Sequence, residues 1–281
     1  MIRGTRIIEG DDAKRYAEAT ELLRHHLTKS GFDEIIVPAL WEQQTFIDKA
    51  GPEIVGQMYA FPDKKGRPIC LIPEVTGLVQ EMWRDVWQKE LCPGGAPRMK
   101  RIFYIARCYR YEKPQAGRYR EFTQVGVELL GGNPKTDRDE VVGLLQSSLD
   151  LLGLNYEYAD QVKRGLSYYV EDGFEASCSS LGAQRQVAGG GRYAEGIGWA
   201  IGLDRALLAR QNADVLARLP KMTKGVVSAP ITCRPHTIEY AAPPRYVTME
   251  GGPYDQVYED GVKALNDNDA GPDAGPGGVD E

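Results

Sequence analysis

Arginine, carboxylate and aromatic side chains are concentrated in the stretch YRYEKPQAGRYREFTQVGVE, which covers residues 109–128. Three of its arginines are Arg110, Arg118 and Arg120, and arginine presents a planar fork of donors that matches phosphate and carboxylate groups. Carboxylates such as Glu128 are interleaved with them. This combination indicates a site for a polyanionic ligand that also carries a cationic group.

The charge of the chain is distributed unevenly. Its formal net charge is −6, which argues against general nucleic-acid affinity. Residues 98–124 nevertheless contain eight Lys/Arg and two Glu, a local charge of +6. Residues 250–281 contain nine acidic residues and one lysine, a local charge of −8. Positive charge is therefore concentrated where a phosphate ligand would need it.

Two predicted strands position these side chains. RIFYIARCYRYE and REFTQVGVELLG have strand patterns and are expected to pair antiparallel across the turn KPQAGRY. Because side chains alternate faces along a strand, Phe122, Gln124 and Glu128 share one face and the valines between them point to the other. The absence of lysine from the polar face favours a binding site over a half-solvated sheet with surface ion pairs.

Helices and further strands flank this hairpin in the predicted pattern. Apolar residues recur at helical spacing over residues 11–30, from Pro73 onward and over residues 137–152. Strand or hairpin patterns occur in GFDEIIVPAL, MYAFPDKKGRPICLI (turn at 63–66), NYEYAD, LSYYVEDGFEAS, the QVAGG region and the start of GIGWAIGLDRALLAR. Mostly antiparallel strands with flanking helices predict an α+β fold.

The chain divides into two parts with different patterns. Residues 1–212 contain the periodic segments, and with 42% hydrophobic residues overall the chain can form one sizeable core there. Residues 213–281 are predicted to be a C-terminal extension with a weak pattern. Its last part, residues 267–281, contains too few apolar residues to fold.

Composition also predicts the compartment. No apolar run approaches the ~20 residues of a membrane span, so a membrane partner is not expected, and MIRGTRIIEGDD is too polar for a secretory signal. The five cysteines are scattered without a CxxC spacing. This usage predicts a reduced, cytoplasmic protein without a disulfide framework or zinc site. With only three histidines, histidine catalysis is not expected.

YRYEKPQAGRYREFTQVGVE resembles motif 2 of the class II aminoacyl-tRNA synthetases, and specifically that of the histidyl-tRNA synthetase family. GIGWAIGLDRALLA is similar to motif 3 of the same class. The resemblance implies a class II antiparallel sheet flanked by helices, and an enzyme that uses ATP with Mg²⁺. It assigns ATP binding to Arg110, Glu112, Arg118, Phe122 and Arg205. Among these, Arg110 would hold the α-phosphate, Phe122 would stack on adenine and Arg205 would contact the γ-phosphate.

Three further segments are similar to parts of the family's histidine pocket. They are LIPEVTG, RGLSYY at 164–169 and AGGGRY at 188–193. The resemblance assigns histidine binding to Glu74, Thr76, Gln124, Glu128, Arg164, Tyr168, Tyr169 and Gly190. It makes Arg164 a catalytic residue together with Arg110 and Arg205, and it implies that Glu128 accepts a hydrogen bond from the imidazole.

The sequence departs from the family pattern at several positions. Ile72 and Ser167 replace an arginine and an aspartate of the family, and Ala194 begins a segment that differs from the family's Asp-Gly-Leu. Residues 133–163 are shorter than the family's helical insertion, and no resemblance to its anticodon-binding domain follows Asn212. These differences leave the amino-acid specificity and the final acceptor open.

Three functions are compatible with the sequence. The first is an enzyme that activates histidine and transfers it to tRNA, bound weakly at its acceptor end, or to a non-tRNA acceptor. The second is a histidine-sensing regulatory subunit similar to the synthetase-like subunit of ATP phosphoribosyltransferase, and the third is a scaffold. Retention of the phosphate-binding arginines favours the enzyme. By analogy with motif 1, residues 13–30 and GFDEIIVPAL are expected to form a homodimer interface.

Overall fold

The computed structural model describes residues 1–49, 52–90, 95, 98–133, 136–162 and 169–218. Met1–Ala217 form one compact unit. The α-helices of the described residues are α1 (Gly10–Lys29), α2 (Gln43–Lys49), α3 (Pro52–Val55), α4 (Thr76–Asp85), α5 (Asp137–Leu151) and α6 (Leu203–Arg218). The predicted extension beyond residue 218 lies outside the described residues, so it stays a prediction.

Ten strands form two sheets within the described residues. They are β1 (Asp33–Glu34), β2 (Leu40–Glu42), β3 (Ala60–Pro62), β4 (Pro68–Leu71), β5 (Lys100–Tyr109), β6 (Glu121–Leu130), β7 (Glu157–Ala159), β8 (Glu171–Ser177), β9 (Gln186–Tyr193) and β10 (Gly196–Gly202). The large sheet has the order β1-β5-β6-β10-β9-β8-β7, and the small sheet has the order β2-β4-β3. In the large sheet only β1 runs parallel to its neighbour, so the predicted α+β fold is confirmed.

The predicted hairpin is the centre of the large sheet. β5 and β6 pair antiparallel along their full length, from Lys100 opposite Leu130 to Tyr109 opposite Glu121. The alternation of β6 side chains is also confirmed. Val125, on one face, is buried in a core formed with α1 and α5.

The other face of β6 packs against the small sheet and α4. A second cluster of buried residues forms there, and its largest members include Phe46 and Tyr104. Phe122, on β6, packs against this cluster. The polar face of the hairpin is therefore covered by a separate layer, and a ligand cavity can form between that layer and the sheet.

Some predicted elements differ from the observed ones. GFDEIIVPAL forms only the two-residue strand β1 and then part of β2, since Pro38 cannot donate a ladder hydrogen bond. Helix α4 begins at Thr76 rather than at Pro73, and the Gly77 N–H, which would donate to the Pro73 carbonyl in a helix begun at Pro73, donates to the Glu74 carboxylate instead. Helix α6 continues to Arg218, although the helical pattern of the sequence weakens after residue 212.

The turn of the β3–β4 hairpin lies where it was predicted. Asp63 Oδ1 accepts hydrogen bonds from the backbone N–H groups of Lys65 and Arg67, at 2.8 and 2.9 Å. Gly66 has a φ of 78°, a left-handed conformation that glycine adopts readily. Within the described residues no helix is long and apolar enough to cross a bilayer.

Candidate active site

A cavity of about 420 Å³ lies against β6, β10 and β9 of the large sheet. Nine of the residues predicted from the sequence line it, namely Glu74, Thr76, Arg110, Glu112, Arg118, Phe122, Gln124, Tyr169 and Arg205. They come from four separate segments of the chain. The fold thus brings residues that are distant in sequence to one cavity.

The loop between β5 and β6 forms one wall of the cavity. Arg118 Nε donates to Glu112 Oε2 at 2.7 Å, and the Glu112 side chain is only 9% exposed. The loop tip is a tight turn in which the Arg118 N–H donates to the Gln115 carbonyl. Gly117 in this turn has a φ of 72°, which favours glycine. Arg118 is therefore fixed at both its backbone and its side chain.

Arg110 lies between the start of α4 and the base of the loop. Its Nε donates to the Pro73 carbonyl at 2.8 Å, and its guanidinium carbon lies 5.3 Å from the Phe122 ring centroid. A guanidinium has five N–H donors, so this contact leaves others for an anion in the cavity. The aromatic ring beside it offers a flat apolar surface on which a planar group can stack.

Arg205, at the start of α6, forms the opposite wall. Its Nε donates to the Gln186 carbonyl at 2.7 Å, and its Nη2 donates to the Gln184 carbonyl. Burial lowers the pKa of Arg205, and the positive charge of Arg118 lowers it further. The charges of Arg118 and Arg205 therefore act on each other at this end of the cavity, where the Glu112 carboxylate offsets part of their repulsion and a polyphosphate would relieve more of it.

Glu74 has two roles at the beginning of α4. Its carboxylate accepts from the Gly77 N–H, at 2.9 Å for Oε1 and 3.2 Å for Oε2. This is the helix-terminus interaction expected for an ordinary acidic residue at that position. Glu74 is only 3% exposed, yet it also lines the cavity. A carboxylate has about four acceptor positions, so Glu74 can bind an ammonium group as well.

Glu128 does not line the cavity but lies directly beneath it. It is fully buried, and its Oε1 accepts from the Thr76 hydroxyl at 2.6 Å. Its Oε2 accepts from the Tyr193 hydroxyl at 2.6 Å, and the Tyr104 hydroxyl lies 3.5 Å from Oε1. Burial raises the pKa of Glu128 to about 8, against the opposing effect of the Thr76 and Tyr193 hydrogen bonds.

Some of the predicted site residues are not brought to the cavity. Gly190 faces away from it, because a Cβ at Gly190 would meet the Gly198 carbonyl and the Trp199 side chain. The neighbouring Gly189 lines the cavity instead. Arg164 and Tyr168 lie outside the described residues, so their assignments stay predictions.

The structure also adds residues that the sequence patterns did not assign to the site. The additional polar lining residues are Gln57, Tyr119, Glu175, Gln184, Gln186 and Asp204. For Glu175 a signal was available, since it alternates along β8 with two residues that are buried in the core, Phe174 and Ala176. For the others, membership in the site depends on how distant segments pack.

The cavity carboxylates indicate how a magnesium ion would bind. Among the described residues no group of three His, Cys, Asp or Glu side chains is arranged to hold a metal ion. In nucleotide sites Mg²⁺ is usually bound by one or two carboxylates together with phosphate oxygens and water. Glu112 and Glu175 both line the cavity. The site therefore fits a Mg²⁺ that arrives with a nucleotide rather than one held by protein groups alone.

The fold is similar to that of solved structures, including those of an S. aureus and a Bacillus halodurans protein. Apo histidyl-tRNA synthetase of S. aureus has a TM-score of 0.61 and 24% identity, over 76% of this chain and 70% of that chain. A Bacillus halodurans protein described as an ATP phosphoribosyltransferase regulatory subunit/histidyl-tRNA synthetase has a TM-score of 0.61 and 16% identity, over 75% of this chain and 82% of that chain. At this identity the likeness concerns the fold, which is that of the class II aminoacyl-tRNA synthetases.

Sequence comparison narrows the class further. The family model for histidyl-tRNA synthetase matches residues 4–160. Histidine–tRNA ligase of Methanosarcina acetivorans is 38% identical over 204 residues, which are 66% of this chain and 48% of that protein. The chain thus spans about half the length of this relative. It belongs to the histidyl-tRNA synthetase family, and the resemblance inferred from its motifs is confirmed.

Proposed function

We propose that the chain activates histidine with ATP to form histidyl-adenylate and pyrophosphate. The observation that supports this most is the meeting of Arg110, Arg118 and Arg205 on one cavity. A pocket for histidine alone has one carboxylate to bind and does not need three guanidinium groups. A triphosphate has several anionic groups, and planar arginine forks match them.

In this reaction a carboxylate oxygen of histidine attacks the α-phosphorus of ATP. The bond from the α-phosphorus to the bridging oxygen breaks, and pyrophosphate leaves with the electron pair. Negative charge grows on the leaving group, and fixed guanidinium groups stabilise it without having to reorganise. Arg110 lies on the α-phosphate side in this proposal, and Arg118 and Arg205 bind the leaving pyrophosphate. Mg²⁺ bound with ATP supplies further charge neutralisation.

The histidine end of the cavity is formed by the start of α4 and by β6. Glu74 binds the substrate ammonium group, and Gln124 and Tyr169 line the space beside it. The Gln124 Oε1 lies 3.3 Å from the Cys108 thiol, so the amide is held on one side. Glu128 lies beneath the cavity and orients the Thr76 hydroxyl by accepting its hydrogen bond. Arg164 and Tyr168, assigned by the family resemblance, complete the pocket in this proposal.

The proposed partners follow from charge and from exposed apolar groups. The chain works as a homodimer that pairs through α1 and GFDEIIVPAL (residues 31–40), where Ile36 is 96% exposed. The activated histidine passes to the acceptor end of tRNA or to a non-tRNA acceptor. Phosphate contacts dominate nucleic-acid affinity, and the local charge of −8 in residues 250–281 opposes them. Transfer to tRNA is therefore weak in this proposal.

A second candidate is a histidine-binding regulatory subunit without catalysis. The Bacillus halodurans structure is described as an ATP phosphoribosyltransferase regulatory subunit or a histidyl-tRNA synthetase, and this description supports considering the alternative. A sensor requires the histidine pocket but no nucleotide site. The two candidates therefore predict different behaviour toward ATP.

Histidine-dependent exchange of radioactive pyrophosphate into ATP distinguishes them. The full chain is assayed with Mg²⁺ and each of the twenty amino acids, and we expect exchange with histidine. Histidine binding is measured in parallel by calorimetry. Binding of histidine without any exchange would favour the regulatory candidate, and exchange with a different amino acid would show that the specificity has changed.

A further inference from the structure

The N-terminal segment, residues 2–7, packs against the loop of residues 110–120 that forms the nucleotide wall of the cavity. The Arg120 N–H donates to the Gly4 carbonyl at 2.7 Å. Gly4 has a φ of 90°, and a Cβ there would lie 2.8 Å from Arg120 Cγ and 2.9 Å from Pro114 Cγ. Only glycine permits this conformation and this close approach.

Arg6 of this segment bridges two walls of the site. Its Nη1 donates to the Tyr119 hydroxyl at 3.1 Å, and its guanidinium carbon lies 4.0 Å from the Tyr119 ring centroid. Its Nη2 donates to Asp204 Oδ1. Asp204 is 5% exposed, and its Oδ2 accepts from the Thr123 N–H at 2.7 Å. One guanidinium thus connects the loop, β6 and the start of α6.

The two partners of Arg6 adjoin, in the sequence, two arginines that line the cavity. Tyr119 follows Arg118 in sequence, and Asp204 precedes Arg205. All four line the cavity, whereas Arg6 does not. Arg118 and Arg205 carry like charges, and the Arg118 charge lowers the pKa of Arg205, an effect that the Glu112 carboxylate paired with Arg118 only partly offsets. A contact that ties their neighbours together opposes the repulsion between them.

We propose that Arg6 is a positioning residue of the nucleotide site, which fixes the distance between Arg118 and Arg205 by linking Tyr119 to Asp204. The inference rests on the proposed binding of ATP at this cavity. Arg6 need not touch the nucleotide, because it acts through the two residues that it connects. A free loop would have to be ordered by ATP itself, and this ordering would weaken the apparent affinity.

The test compares Arg6→Ala and Arg6→Lys with Arg3→Ala in the full chain. Arg3 is an exposed residue of the same segment, and the Arg3→Ala substitution removes the same charge as Arg6→Ala. We expect Arg6→Ala to raise the Kd and the KM for ATP roughly tenfold, the effect of losing one charge-assisted hydrogen bond. The KM for histidine should stay near the wild-type value. Arg6→Lys should be intermediate, because one ammonium group cannot reproduce the fork.

Hydrogen exchange gives a second measurement that does not depend on catalysis. In Arg6→Ala without ligand, the amides of Arg120 and Thr123 should exchange faster than in wild type, and in Arg3→Ala they should not. Unchanged ATP affinity in Arg6→Ala, or equal effects of Arg3→Ala, would overturn the inference. So would a parallel rise of the KM values for ATP and histidine, which indicates general loosening.

The proposed function can fail separately from this inference. If the wild-type chain catalyses no exchange, the ATP Kd from calorimetry and the hydrogen-exchange rates still decide the role of Arg6. If the wild-type chain does not bind ATP, both proposals are wrong.

Discussion

At the scale of single residues, Glu128 is a carboxyl group enclosed by hydroxyl groups. Thr76, Tyr193 and Tyr104 surround it, and no part of it reaches solvent. Burial penalises the ionised form, so its pKa is raised from 4.5 to about 8. At neutral pH the protonated form predominates, and the group can act as a donor or as an acceptor beneath the cavity.

Glu128→Gln should change how stability depends on pH. Between about pH 4.5 and pH 8 the folded wild type keeps the Glu128 proton and the unfolded chain has lost it. The unfolded state then binds fewer protons, so this group makes stability fall as pH rises through the window, by on the order of 1 kcal/mol per pH unit. Glutamine has no proton to lose and removes this contribution. Urea unfolding of both proteins at pH 5, 6.5 and 8 gives their free energies of unfolding. Equal slopes of this free energy against pH in the two proteins would contradict the prediction.

Arg110→Lys should reduce histidine-dependent exchange through kcat rather than through the KM for histidine. Lysine keeps the charge but loses the planar fork, and loss of one such donor to a developing oxyanion costs about 10²–10³ in kcat. Arg107→Lys is the control, because Arg107 is exposed on β5 and pairs with Glu121 at the surface. Steady-state exchange kinetics compare the two variants, and similar kcat values would refute the role of Arg110.

At the scale of elements, a buried ion pair joins α5 to β9. Arg192 Nη2 donates to Asp137 Oδ1 at 2.8 Å, and the two side chains are 8% and 4% exposed. Asp137 lies at the first position of α5 and Arg192 near the end of β9. Because β9 also carries Tyr193, the partner of Glu128, this pair fixes a strand that the site depends on.

Asp137→Ala should destabilise the fold by about 3–5 kcal/mol, since it removes a buried carboxylate that is hydrogen-bonded to the buried Arg192 guanidinium. The adjacent Arg138→Ala is a matched control. Arg138 pairs with Asp160, which is 48% exposed, and a surface pair of this kind contributes roughly 0–1 kcal/mol. Denaturant unfolding at pH 7 measures the free energy of unfolding of both variants and of the wild type. Similar losses for the two variants would show that the buried pair has no special role.

At the scale of the whole molecule, the proposed homodimer depends on apolar groups that a monomer leaves in water. Ile36 is 96% exposed and Leu40 is 47% exposed. A single exposed apolar residue is ordinary, but these two belong to the segment that resembles the family's dimer motif. We expect the wild-type chain to sediment as a dimer at micromolar concentration.

Ile36→Glu should shift the chain toward the monomer, because a charge would be buried in the interface. Val86→Glu is the control, since Val86 is 45% exposed at the end of α4 and outside that segment. Sedimentation velocity over a concentration series compares the three proteins. A wild-type monomer, or equal dissociation of both variants, would remove the support for this interface.

The sequence by itself determined the central hairpin and its two faces. Period-two alternation is a local property, so Phe122 and Gln124 could be placed on the polar face and Val125 in the core without knowledge of the fold. Motif resemblance then gave nine residues of the cavity lining, because those residues lie in short segments with distinctive spacing. These predictions needed only neighbours in the chain.

Only the tertiary structure decided what surrounds those residues. It placed Glu128 beneath the cavity rather than in its wall, turned Gly190 away from the site and brought Arg6 to Asp204. The partners come from segments as far apart as residues 6 and 204. Burial, and with it the pKa of a carboxyl group, depends on which distant groups exclude water. No local pattern in the sequence contains that information.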